Sequence, residues 1–284
     1  MSNILVTGGE GFVGSALCHT LADAGHNVTS VDNYFNNSLT PRHYDVDYWI
    51  MDCKAIPTSN MANKSFDYIF HLGEYARVEQ SFGDFNRVID YNLKSFPSML
   101  EFAREKNAKF IYSGSSTKFA VGEEGKAQSP YAYTKAQNTE LLKNYAEWYG
   151  LDYTIVYFYN VFGPGENGLG PLATVVEKFL QLAKNGAEML PVTSPGTQLR
   201  NFTHIDDIVS GLILAGFEGS GDGYGIGNDY KHSILDLVDM MGCEPNMLPE
   251  KPGNRMDGQL KTEKLKALGW SAKKDLRNYI RSQL

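Results

Sequence analysis

The stretch Asn3-Ile-Leu-Val-Thr-Gly-Gly-Glu-Gly-Phe-Val-Gly14 decides the fold. Residues 3–6 read as a β-strand and residues 11–24 as a helix, and the turn between them carries Gly8, Gly11 and Gly14, three residues apart. Glycines at that spacing permit a tight turn, let backbone approach a pyrophosphate and let helix pack closely on strand. The helix start then offers N–H groups and a positive dipole end to phosphate. Residues 27–31 form a second expected strand, which runs into Asp32. Asp32 lies eighteen residues beyond Gly14, where a carboxylate accepts hydrogen bonds from an adenosine ribose. The same charge repels a 2′-phosphate and so favours NAD over NADP. Asp52, after Trp49-Ile50-Met51, is a candidate partner for the adenine amino group.

Outward from this motif, strands at 67–72, 109–113 and 152–158 alternate with helices at 85–106 and 132–149, the former kinked or broken at Pro97. Strands separated by helices imply crossover connections, hence an α/β fold with a doubly wound parallel (Rossmann) sheet; a smaller C-terminal region, expected to be substrate-binding, follows it. The texture changes after Asn160, since residues 162–171 hold four glycines and two prolines. Residues 1–160 are therefore expected to form the NAD-binding domain, with 201–228 packing back on it, and 161–284 mainly the substrate region. Further helices are expected at 173–185 and 205–217, and the lysine-rich segment 261–284 reads as a solvated surface helix.

Composition narrows the class. The chain has 284 residues, and 26 basic against 33 acidic side chains give 26 − 33 = −7. With no basic run, nucleic acid and anionic membrane surfaces are not expected partners. Cys18, Cys53 and Cys243 are far apart with no CxxC, which reads as reduced thiols rather than disulfides or a metal site. No apolar run approaches spanning length, and Ile4-Leu5-Val6 runs into glycines without a basic lead. A soluble, cytoplasmic protein is the expectation.

A second motif carries chemistry. Ser129-Pro-Tyr-Ala-Tyr-Thr-Lys135 places Tyr131 and Lys135 four apart at a helix start, on one face. An ammonium there favours the phenolate and makes the tyrosine a usable base. Upstream, the strand Phe110-Ile-Tyr runs into Ser113-Gly-Ser-Ser-Thr117, hydroxyls at the carboxyl end of a parallel strand, where ligands of such sheets sit.

The glycine stretch, Asp32, His71-Leu-Gly73, the serine-rich strand end, Tyr131/Lys135, Asn160-Val-Phe-Gly-Pro164 and Gln198-Leu-Arg-Asn-Phe202 fall in order. Together, from about Asn3 to Trp270, they resemble the extended short-chain dehydrogenase/reductase family, in particular its NAD-dependent nucleotide-sugar epimerases and dehydratases. The resemblance implies Tyr131 as base, Lys135 as the nicotinamide-ribose contact and Ser115 as the residue that orients the sugar hydroxyl. It implies a cofactor set of Gly8, Gly11, Phe12, Val13, Gly14, Asp32, Asn33, Asp52, Cys53, Leu72, Gly73, Asn92 and Ser113 together with Tyr131 and Lys135. For substrate it implies Glu74, Ser115, Ser116, Thr117, Tyr131, Asn160, Thr174, Arg200 and Lys251. A UDP-sugar and a homodimer built on the 85–106 and 132–149 helices follow from the same resemblance, with Leu141, Leu142 and Trp148 fitting either that interface or the sheet.

Family 4,6-dehydratases carry Thr-Asp-Glu at the strand end, whereas this chain has Ser115-Ser116-Thr117, which favours epimerisation over dehydration; C4 is the expected carbon of the hydride cycle, with the carbon itself left open. A dehydratase, dehydrogenase or reductase on the same fold stays open, as does a dinucleotide-binding scaffold without turnover. Four departures bear on the substrate. Glu74 stands where the family usually has alanine, either reading the sugar, moving a proton or pairing with Arg77. The 115–131 connection is short, Tyr157 replaces a common arginine, and Asn201 and Asn254 replace frequent aspartates.

Overall fold

The computed structural model describes residues 1–35, 40–116, 128–170, 172–250 and 256–284. Seven strands form the central sheet: β1 (Asn3–Thr7), β2 (Asn27–Asp32), β3 (Val46–Ile50), β4 (Tyr68–His71), β5 (Lys109–Ser115), β6 (Tyr153–Phe158) and, late in the chain, β11 (Gly221–Ile226). Their order is β11-β6-β5-β4-β1-β2-β3, and every pairing is parallel. This is the expected doubly wound sheet. The order reverses between β1 and β4, which opens a crevice at their carboxyl ends.

Strand alternation sends successive side chains to opposite faces. Ile4 and Val6 join Phe70, Ile111 and Val156 in one core, covered by α1 (Phe12–Asp23) and α6 (Ile205–Glu218). Leu5, Ile69, Phe110, Tyr112 and Ile155 face the other side, against α3 (Phe96–Lys106) and α4 (Pro130–Tyr149). Each fully buried aliphatic or aromatic side chain here contributes about 1.5–3 kcal/mol of transfer free energy.

The long helix expected over 85–106 is three pieces. A turn of α-helix, α2 (Phe85–Val88), passes into a π-helical turn (Ile89–Lys94) and then into α3. Pro97 lies in the first turn of α3, where its missing N–H leaves no bond broken, and the widened turn before it absorbs the mismatch. α4 is better specified: Ser129 Oγ accepts the Ala132 N–H at 3.1 Å, Pro130 opens the helix, and Gly150 closes it at φ +71°.

Short elements build a third core. β7 (Val161–Phe162) pairs with β10 (Thr203–His204), β9 (Leu199–Arg200) with β12 (His232–Ser233), and β8 (Met189–Thr193) with β13 (Glu244–Leu248). With α5 (Val175–Lys184), α7 (Ile234–Met240) and α9 (Leu276–Gln283) they enclose Phe162, Phe179, Leu190, Phe202, Leu237 and Ile280. The C-terminal segment differs from the expected solvated helix. It is two short helices, α8 (Glu263–Ala267) and α9, broken at Gly269 (φ +92°), and Leu265, Trp270, Leu276 and Ile280 are buried. Leu142 likewise belongs to the sheet's core, whereas Trp148 is 63% exposed. Among the described residues, no helix is long and apolar enough to cross a membrane.

Candidate active site

A cleft of about 700 Å³ runs along the carboxyl ends of β1, β2, β4, β5 and β6 and faces the third core. Its floor at one end is the glycine turn. Gly8 adopts φ +68°, and a Cβ there would lie 2.8 Å from Gly73 Cα. A Cβ on Gly14 would lie 2.0 Å from the Gly8 carbonyl oxygen, so α1 reaches its position only without one. α1 begins with Gly11 as its N-cap, and no side chain caps it. Its first turn, Phe12, Val13 and Gly14, therefore faces the cleft as an anion cradle.

Asp32 closes β2 and is held by two backbone N–H groups, from Tyr34 at 2.8 Å to Oδ1 and from Glu10 at 3.1 Å to Oδ2. Burial pushes its carboxyl above the usual range, and those N–H groups pull against the shift. Asn33, Asp52, Cys53, Leu72 and Gly73 continue the lining. Asp52 also caps a 3₁₀ turn through the Lys54 N–H at 3.0 Å. Thr7 Oγ1 accepts the Gly73 N–H at 3.2 Å and bonds His71 Nδ1 at 2.8 Å, fixing the β4 loop against the glycine turn. Asn92 does not line the cleft. It is fully buried, with its side-chain oxygen accepting the Tyr75 N–H at 2.7 Å and its NH₂ donating to Thr134 Oγ1 at 2.9 Å, so it orders the loop after Glu74.

The other end of the cleft gathers Ser113, Ser115 and Ser116 from the end of β5, Tyr131 and Lys135 from α4, and Asn160, Thr174 and Arg200 from the third-core side. Helical spacing of four puts Tyr131 and Lys135 on one face, and Lys135 Nζ donates to the Ser113 carbonyl at 2.6 Å. Glu74 does not pair with Arg77. Its carboxylate forms an ion pair with Lys135 and accepts Asn138 Nδ2 at 2.7 Å and the Tyr112 hydroxyl at 3.1 Å. Arg77 instead donates Nε–H to the Leu172 carbonyl at 3.1 Å. Tyr157 lies outside the cleft with its hydroxyl 2.6 Å from Asp222 Oδ1, and Asn201 donates to the Asn228 carbonyl at 2.7 Å. Thr117, Lys251 and Asn254 lie outside the described residues.

Sequence reasoning missed Glu166 and left Gln198 as part of a motif only. Both line the cleft, and each keeps a buried side-chain oxygen with no hydrogen-bond donor among the described residues. Burial pushes the Glu166 carboxyl up to about 7. Its only local signal was position, two residues beyond the Gly-Pro turn after Asn160.

This geometry fits a dinucleotide held by its pyrophosphate on α1 and its adenosine ribose at Asp32. A model of the NAD dependent epimerase/dehydratase family matches residues 4–227, and the chain belongs to that family, with NAD as cofactor. Its relatives divide by reaction. It is 29% identical over 254 residues to a UDP-N-acetyl-alpha-D-glucosaminuronate decarboxylase of Bacillus cytotoxicus, covering 82% of this chain and 77% of that protein. The UDP-glucose 4-epimerase of Thermotoga maritima, solved with UDP-glucose, superposes with a TM-score of 0.90 at 27% identity, over 98% of this chain and 96% of that one. A UDP-N-acetylglucosamine 4-epimerase from Methanobrevibacter ruminantium gives 0.86 at 26% identity, over 99% and 96%.

Proposed function

We propose that the chain is a nucleotide-sugar epimerase that inverts C4 of a UDP-sugar through a transient 4-keto sugar. The observation that carries this reading is the cleft itself, where Ser115 and Ser116, Tyr131 and Lys135 share one cavity with the glycine turn, and no aspartate–glutamate pair follows Ser115. NAD, when bound, supplies the reversible hydride acceptance. Tyr131 takes the proton from the sugar hydroxyl and later returns one, so the reaction has no net redox change. Ser115 orients that hydroxyl, and Lys135 holds the cofactor ribose. Asn160, Thr174 and Arg200 contact the sugar and diphosphate. Exposed Tyr133, Trp148 and Tyr149 on α4, with Phe85 at the start of α2 and Phe82 just before it, support a homodimer. A cytoplasmic role in polysaccharide precursor synthesis completes the reading.

One observation favours a second reading, decarboxylation of a UDP-hexuronate after the same C4 oxidation. Arg77 lines the cleft close enough to Tyr131 and Glu166 to interact electrostatically, and a guanidinium there suits a sugar carboxylate. The test is NMR of products from UDP-glucose, UDP-N-acetylglucosamine and UDP-glucuronate. A C4 epimer at constant NAD supports the proposal, and release of CO₂ from the uronate supports the second reading. Tyr131→Phe should lower turnover by about 10²–10⁴-fold while NAD stays bound. Near-normal turnover in that variant would remove Tyr131 from its role.

A further inference from the structure

Glu74, a substrate contact by resemblance, has no part in the proposed cycle, yet its buried carboxylate is held by three side chains, Lys135, Asn138 and Tyr112. Its side chain is 0% exposed and that of its partner Lys135 is 4% exposed. The ammonium has three N–H groups. One goes to the Ser113 carbonyl and one to Glu74, which leaves one for a ribose hydroxyl. The remaining groups packed on the pair carry no charge. His71 Nε2 lies 3.8 Å from Glu74 Oε1, and burial together with Lys135 drives the imidazole down to about 3, so it is neutral. Burial and the nearby carboxylate keep the Tyr112 phenol protonated, burial does the same for the Cys53 thiol beside Gly73, and Asn138 is uncharged. Burial pushes the Glu74 carboxyl above its ordinary range, and Lys135, Asn138 and Tyr112 pull it back; with the Glu74–Lys135 ion pair formed, one positive and one negative group make a buried cluster of zero net charge.

That balance matters because the nicotinamide ring is cationic when oxidised and neutral when reduced. An uncompensated buried ammonium beside it disfavours the oxidised ring, and a compensated one does not. We infer that Glu74 is a positioning residue and built-in counter-ion, which clamps Lys135 and cancels its charge so that the site accepts the oxidised cofactor without penalty. The inference rests on the reading that Lys135 faces the nicotinamide ribose. It does not depend on which sugar reaction follows.

The test is equilibrium binding of NAD⁺ and NADH by calorimetry, on the full chain stripped of nucleotide and without any sugar substrate. Glu74→Gln, nearly isosteric, leaves the ammonium uncompensated and should raise the ratio Kd(NAD⁺)/Kd(NADH) by about tenfold. The double variant Glu74→Gln with Lys135→Met is neutral again and should return the ratio to within about threefold of wild type. Equal weakening of both forms, or an unchanged ratio, would reduce Glu74 to scaffolding and overturn the inference. So would a double variant that keeps the shifted ratio. If Glu74→Gln alone does not fold, the double variant still decides, since a ratio far from wild type refutes the charge argument. Failure to epimerise would sink the C4 reading and leave these binding ratios standing.

Discussion

Glu166→Gln should stabilise the protein in a pH-dependent way, and the structure sets both sign and size. Glu166 Oε2 accepts the Gly163 N–H at 3.0 Å, whereas Oε1 is buried without a donor among the described residues. Burial pushes the folded carboxyl from its ordinary value near 4.5 up to about 7, and the Thr174 hydroxyl and the Gly163 N–H offset only part of this. Between those values the native state holds a proton that the unfolded chain has released, so stability falls as pH rises. The contribution is fully present below about 4.5 and lost once pH passes about 7. At roughly 1.4 kcal/mol per pH unit, the window amounts to about 3 kcal/mol. Glutamine does not titrate and still offers Gly163 an acceptor. Urea denaturation of both proteins at several pH values across that window, without nucleotide, gives the difference directly, because the other titrating groups are common to both and cancel. The variant should gain about 3 kcal/mol relative to wild type between the acid and neutral ends of the window. A gap constant to within about 0.5 kcal/mol would refute the claim that burial holds the Glu166 carboxyl above its ordinary range.

Gly14→Ala should abolish NAD binding and destabilise the fold by about 2–4 kcal/mol in thermal or urea unfolding, since the new Cβ meets the Gly8 carbonyl oxygen at 2.0 Å and backbone, not a flexible side chain, must move. Wild-type affinity for NAD in that variant would mean that α1 and the glycine turn are not in close contact. Asp32→Asn should narrow the preference for NAD over NADP by about tenfold in direct binding, because it removes the carboxylate that repels a 2′-phosphate at the end of β2. An unchanged preference would place the ribose elsewhere.

The parts of the site legible in the sequence are those whose chemistry is local. The glycine turn and Asp32 lie within thirty residues of one another, and each obeys a spacing rule that follows from one strand–turn–helix–strand unit. Tyr131 and Lys135 share a helical turn, so their common face follows from periodicity alone. β3 and β11 were illegible for different reasons. β3 is an edge strand with one buried residue, Val46, and so lacks an apolar run, while β11 reads Gly-Asp-Gly-Tyr-Gly-Ile, with three glycines that weaken any strand signal. It is a strand because α6 returns the chain to the free edge of β6, where backbone pairing and the burial of Tyr224 and Ile226 outweigh propensity. The lysine-rich C-terminal segment shows the reverse error, for its charges conceal an apolar set that packs on α6 and α7.

Glu74 shows why local reasoning has a limit. Read along the chain, its nearest opposite charge is Arg77, three residues away, but residues 74–77 are not helical and the two side chains leave in different directions, Arg77 toward Leu172. The partner it finds, Lys135, is sixty-one residues distant and arrives only because β4 and β5 pair in register, His71 opposite Tyr112, while α4 packs across their ends. A charge placed at the end of one strand is therefore answered from the helix after the next strand. In a doubly wound sheet that pairing is set by strand order and register, quantities that no spacing within a single segment contains. The residues that depart from a family pattern at strand ends, as Glu74 does, are accordingly the ones whose meaning depends most on topology, and the cofactor-binding ratio of Glu74→Gln measures a consequence of that topology directly.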